Sequence, residues 1–180
     1  VGAQWQIGEF VADASLLYAR DGEISAANEL LRRSAYLRFP ELELQIAYDA
    51  QDPAHGLAAI EALASTDYTY TLYRAEFLYH LGRRDAAAEL YRALIADDPG
   101  FSSLSYLNLA DLSPDAKVAV LRDGVAAFPL SLKLLERLGE ALYQKGDTAE
   151  AARVFSRVLD INPDQAASRI RLSESRRGSG

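Results

Sequence analysis

The sequence contains no cysteine and no methionine, a single tryptophan, and only 6 prolines and 11 glycines in 180 residues. Without Cys there is no disulfide frame, no thiol nucleophile and no Cys-based metal site. The same absence fits a reducing or an oxidising compartment, so cytoplasmic and periplasmic locations both stay open. Long apolar runs are missing too: none approaches the ~20 residues that would span a bilayer. Histidine is scarce. His55 and His80 lie far apart with no HExxH spacing, so neither a metal nor a cofactor is expected. The Ser-rich stretch at residues 101–107 lacks a glycine elbow and a placed His, so it is no hydrolase signature. Basic charge is in deficit, with 19 Lys and Arg against 26 Asp and Glu. An acidic chain is a poor partner for nucleic acid, whose affinity comes mainly from neutralised phosphates.

What is present is ordinary for a globular protein: 49% apolar and 25% charged residues. Ala and Leu account for 58 of the 180 residues, and both favour helix. The charge is unevenly spread. Residues 1–90 carry 14 acidic and 7 basic side chains, whereas residues 91–180 carry 12 of each. Residue 1 is Val with no signal-like segment after it, which suggests a processed form or part of a longer chain.

Self-similarity is the strongest signal. Three stretches end at Pro40, Pro99 and Pro163, and each contains a glycine: Gly22, Gly82 and Gly146. Five residues after the glycine stands Ala27, Ala87 or Ala151, and nine after it Leu31, Tyr91 or Phe155. Four residues before it stands Tyr18, Leu78 or Leu142. The glycine can end one helix in a left-handed conformation, where a Cβ would be costly. The Ala lets two helices approach, the bulky residue one turn later fills the space beside it, and the Pro opens the next helix. Asp147 with Glu150 reads as a capping box, with Ser25 and Asp85 as further N-cap candidates. Two shorter units are marked by Asp52-Pro53 and Ser113-Pro114. The first helix of the earlier one, Glu41–Ala50, also alternates like a strand.

This pattern resembles the tetratricopeptide repeat family. Leu135, Leu138-Gly139, Leu142, Ala151, Phe155, Val158 and Pro163 carry the resemblance best; Ala75, Leu78, Gly82, Ala87, Tyr91, Leu94 and Pro99 follow, with a departure at Arg74. The implied fold is all-α, a right-handed superhelix of about five helical hairpins spanning residues 1–172. The expected repeats are 8–40, 41–67, 68–100, 101–130 and 131–163, with a capping helix over 163–172 and a disordered tail over 173–180. The resemblance also implies a non-enzymatic scaffold that holds a segment of a partner protein in a concave groove. The matching groove residues are Thr69, Leu72, Glu76, Tyr79 and His80 in one repeat, and Lys133, Glu136, Glu140, Tyr143 and Gln144 in another. Chaperone-binding members clamp a C-terminal carboxylate with Lys and Asn. Glu76, Glu136 and Glu140 stand at such places here, so a carboxylate clamp is not expected and a basic partner is. An alternative is an organising subdomain of a larger bacterial envelope or polymer-export system.

Trp5, Ile7, Phe10 and Val11 make the first helix apolar on more than one side. Terminal repeats normally turn a polar face outward. The expectation is that this helix stacks on an upstream repeat, a partner or a second copy. Asp97-Asp98 precedes Pro99 and reads as a turn, with no burial that would suit acid–base catalysis.

Overall fold

The computed structural model describes residues 40–63 and 67–178, together with residues 26, 29 and 30. The expectations for Trp5, Ile7, Phe10, Val11, Tyr18, Gly22 and Ser25 lie outside them. Nine α-helices run through the described residues: α1 Pro40–Asp49, α2 Pro53–Leu63, α3 Tyr68–His80, α4 Arg84–Asp97, α5 Ser103–Leu112, α6 Lys117–Ala127, α7 Leu132–Lys145, α8 Thr148–Ile161 and α9 Ala166–Gly178. One 3₁₀ turn, Pro114–Ala116, leads into α6, and no strand occurs among the described residues. The alternating stretch at residues 41–50 is therefore helical; Ile46 and Ala47 are buried while Gln45 and Tyr48 face outward.

The chain falls into two compact units, residues 1–87 and 88–180, with the boundary inside α4. In the first, α2 packs on both α1 and α3. Its core holds Ile46, Leu57, Ile60, Ala75, Phe77 and Leu78. In the second, α5 through α9 pack in succession. Tyr106, Leu121, Leu134, Leu138, Leu142, Val154 and Phe155 form one continuous apolar cluster there.

The helix ends explain the repeat. Gly82 and Gly146 adopt positive φ, 73° and 90°. In both turns the glycine N–H reaches the carbonyl three residues back, Tyr79 or Tyr143. The next N–H reaches five back, from Arg83 to Leu78 and from Asp147 to Leu142. That is a Schellman closure, and it satisfies carbonyls the helix leaves open. Ala87 and Ala151 are fully buried, as are Tyr91 and Phe155 four residues further on. Gly139 has a different duty: a Cβ there would lie 2.7 Å from the Phe155 ring, so α7 and α8 approach only because it is absent.

The same closure recurs at Gln51, whose φ is 54°. Its N–H reaches Tyr48 O, and Asp52 N–H reaches Ala47 O. Gln51 thus stands where the other repeats place glycine. Gly56 and Ile60 then occupy the Ala and bulky positions, and both are buried. The short unit follows the repeat register, with its marker residue changed.

Three local expectations are corrected. Asp147 makes no capping hydrogen bond and pairs with Lys145 at 3.2 Å, while Glu150 pairs with Arg122 across α6 and α8 at 2.6 Å. Neighbouring Lys145 takes Asp147 and distant Arg122 takes Glu150, so the local box does not form. Asp85 lies inside the first turn of α4 rather than at its cap. The tail expected to be disordered from Ser173 is helical through Gly178, with Ser175 fully buried. Its small side chains let α9 lie close against α8, and Arg171 ties it to Glu140 on α7 while bonding Glu174 within α9.

Candidate functional site

In three of the repeats the first helix carries a tyrosine and a carboxylate or amide shortly before the left-handed residue that closes it. Counting back from the left-handed residue, the third position is Tyr48, Tyr79 or Tyr143, and the sixth is Gln45, Glu76 or Glu140. These offsets put both residues on one helix face. The structure treats the three copies differently.

In the last repeat the face is covered by the chain itself. Arg171 Nε on α9 donates to Glu140 Oε1 at 2.6 Å, and its guanidinium lies 5.3 Å from the Tyr143 ring centroid. Gln165 donates to Glu136. One helix pair earlier, Arg137 on α7 bonds Asp111 on α5. Helix α9 thus meets α7 as α7 meets α5, and it occupies the place of the first helix of a further repeat. Of the five groove residues expected here, Glu136, Glu140 and Tyr143 serve α9, whereas Lys133 and Gln144 remain exposed.

In the first unit the face is open. Tyr48 on α1 and Tyr73 on α3 meet edge to face, with ring centroids 5.5 Å apart. On one side of this pair lies a cleft of about 470 Å³ lined by Tyr48, Gln51, Pro53, Glu76, Phe77 and His80. On the other lies one of about 350 Å³, whose lining includes Tyr48, Gln45, Asp67, Thr69, Tyr70 and Tyr73. Tyr48 contributes to both. Helix α3 supplies Thr69, Tyr73, Glu76 and His80, spaced 4, 3 and 4 residues apart and so on one face. Asp67 caps this helix, accepting from Thr69 N–H at 2.8 Å.

Of the five groove residues expected on this helix, Glu76 and His80 line the larger cleft and Thr69 the smaller, while Leu72 and Tyr79 line neither. Tyr79 is half-buried, and its ring stands edge-on to His80 at 5.5 Å. Tyr48, Gln51 and Tyr73 are additions. Tyr48 was hidden because its repeat lacks the marker glycine; once Gln51 fills that position, the tyrosine three residues earlier aligns with Tyr79 and Tyr143.

The electrostatics of the open face are set by one carboxylate. Burial pushes the Glu76 pKa above the ordinary carboxylate value. The charge of Glu76 in turn raises the Tyr48 phenol, with burial adding to it. Among the described residues, no group of three or more His, Asp or Glu is placed to hold a metal ion.

Two segments, residues 42–100 and 113–166, match the family described as tetratricopeptide repeat, which is well over half of the chain. The chain belongs to the tetratricopeptide repeat family. Solved structures agree on the fold. MamA from residue 41 onward, from Desulfovibrio magneticus RS-1, superposes with a TM-score of 0.70 at 17% identity, covering 88% of this chain and 97% of that one. The C-terminal part of a TPR repeat-containing protein from Cytophaga hutchinsonii gives 0.74 at 14% identity, covering 93% and 71%. MamA MSR-1 gives 0.58 at 21% identity, covering 91% and 86%. No curated protein matches the sequence. Among the described residues, no helix is long and apolar enough to cross a membrane.

Proposed function

We propose that this tetratricopeptide repeat chain is a non-catalytic scaffold that holds a segment of a partner protein against the first-helix face of its first unit. The observation that carries the reading is the pair of clefts that share Tyr48 between α1 and α3, set against the last repeat, where α9 covers the corresponding residues. Tyrosine suits such a surface, because it offers a large apolar ring and a polar tip at little entropic cost. Thr69, Glu76 and His80 are the contacts from the expected set, and Tyr48, Tyr73 and Gln51 join them. Lys133 and Gln144 stay on the exposed part of the last repeat and are secondary contacts at most.

The test is a selection of random-sequence displayed peptides against the full chain, followed by affinity measurement on the best binders. Replacing Tyr48 and Tyr73 together by Ala should weaken binding by roughly tenfold or more, as loss of anchoring aromatics does. Arg92→Ala, exposed on α4, should leave it unchanged. Undiminished binding by the double tyrosine variant would place the partner elsewhere.

A further inference from the structure

Two carboxylate–tyrosine pairs occupy the same place in their repeats. Glu140 and Tyr143 precede Gly146 by six and three residues; Glu76 and Tyr79 precede Gly82 by the same numbers. The pair in the last repeat shows what such a place accepts. The Arg171 guanidinium donates to the carboxylate and sets its cationic face near the tyrosine ring. A guanidinium suits both, since its planar N–H groups match a carboxylate and its weak hydration tolerates an aromatic neighbour.

Glu76 has no such partner. Among the described residues it makes no hydrogen bond or ion pair, although it is half-buried. Removing part of the water around a carboxylate costs free energy that only a donor or a cation offsets. Among the described residues no Lys or Arg lines its cleft, and the groups beside it there are the Tyr48 phenol, Gln51 and His80. A volume of about 470 Å³ admits a long side chain, and Tyr48 supplies the aromatic wall. Sequence charge points the same way: the excess of acidic residues lies in residues 1–90.

We infer that Glu76, between Tyr48 and His80, is the receptor for an arginine side chain carried by the bound partner segment. The inference rests on the groove reading above and narrows it to one chemistry. Arginine is favoured over lysine because the occupied pair in the last repeat takes a guanidinium and because a compact, strongly hydrated ammonium gains less beside tyrosine rings.

Peptides selected on the full chain provide the probe. Their consensus should contain an arginine, and replacing that residue by citrulline, which keeps the shape and removes the charge, should weaken binding about tenfold or more. Lysine should restore only part of it. Glu76→Gln should reproduce the citrulline loss, and combining the two should cost little more, because each removes the same interaction. Glu89→Gln on α4, an equal charge change on an exposed residue, should have no effect. The citrulline exchange leaves the protein untouched, so it stands even if a variant folds poorly. Selected peptides without a common arginine, or equal binding to Glu76→Gln, would overturn the inference. If those same peptides still depend on Tyr48 and Tyr73, the groove reading survives; if they do not, both fall. Association of the chain with itself that disappears in Glu76→Gln would identify the arginine donor as a second copy and support the assignment of the receptor.

Discussion

Single residues decide how this chain turns. Gly82 and Gly146 sit at positive φ with open space around the missing Cβ, so their requirement is conformational rather than steric. Gly146→Ala should lose on the order of 1 kcal/mol, measured by urea denaturation. Gln51 holds the same backbone conformation with a side chain attached. Gln51→Gly should therefore gain stability, by a few tenths up to about 1 kcal/mol, since relief of strain exceeds the extra freedom of the unfolded glycine. Gly139 fails for the opposite reason: its φ is ordinary, but Phe155 fills the space, and Gly139→Ala should cost roughly 1–3 kcal/mol through overpacking. Glu76 makes a pH-dependent case. Its folded pKa lies above the unfolded value, so the folded state binds more protons in between, and stability rises as pH falls through the raised pKa. At neutral pH Glu76→Gln should thus be at least as stable as the parent. Below the ordinary carboxylate pKa the two should converge, because Glu76 is then uncharged in both folded and unfolded chains.

At the scale of elements, the informative helix is α9. Its sequence is rich in Ser and Arg and carries few apolar residues, the pattern of a solvated tail. Burial of Ser168 and Ser175 and the Arg171 bonds to Glu140 and Glu174 keep it helical instead. Arg171→Ala removes the tie to α7 and the contact with Tyr143. Amide exchange in α9 should accelerate severalfold while α1–α3 remain unaffected. The pair α7 and α8 was legible from its motif, since the Leu, Ala and Phe positions each serve one packing duty. Phe155→Ala should cost about 3–5 kcal/mol, as expected for a fully buried ring with little room to collapse. The capping box at Asp147 was misread because sequence spacing cannot weigh a local partner against one 28 residues away, and Arg122 claims Glu150.

For the whole molecule, stability is distributed along the repeats rather than gathered in one core. The boundary between the two compact units falls within α4, and the apolar cluster around Leu134 and Phe155 belongs entirely to the second. Damage at Phe155 should therefore lower exchange protection through α7–α9 before it reaches α1–α3, and native-state hydrogen exchange will read that order. The carboxylate–tyrosine pairs differ in the same way. In the second unit Arg171 on α9 engages Glu140 and Tyr143, whereas in the first Tyr79 stands against His80 and Glu76 makes no hydrogen bond or ion pair among the described residues.

The sequence by itself determined the helical class, the hairpin repeat and its family, because glycine, alanine and aromatic positions answer to local backbone and helix-contact geometry. It also put Thr69, Glu76 and His80 on one face of α3, since helical spacing alone fixes which residues share a face. Tertiary structure decided what spacing leaves open. It put Gln51 in the left-handed place that marks the first described repeat, and so brought Tyr48 into register with Tyr79 and Tyr143. It gave Glu140 to α9 and Glu136 to the residue before it, and left Glu76 half-buried with no hydrogen bond or ion pair among the described residues. Those outcomes depend on which side chain arrives first from a distant helix, and no count of residues along one helix contains that information.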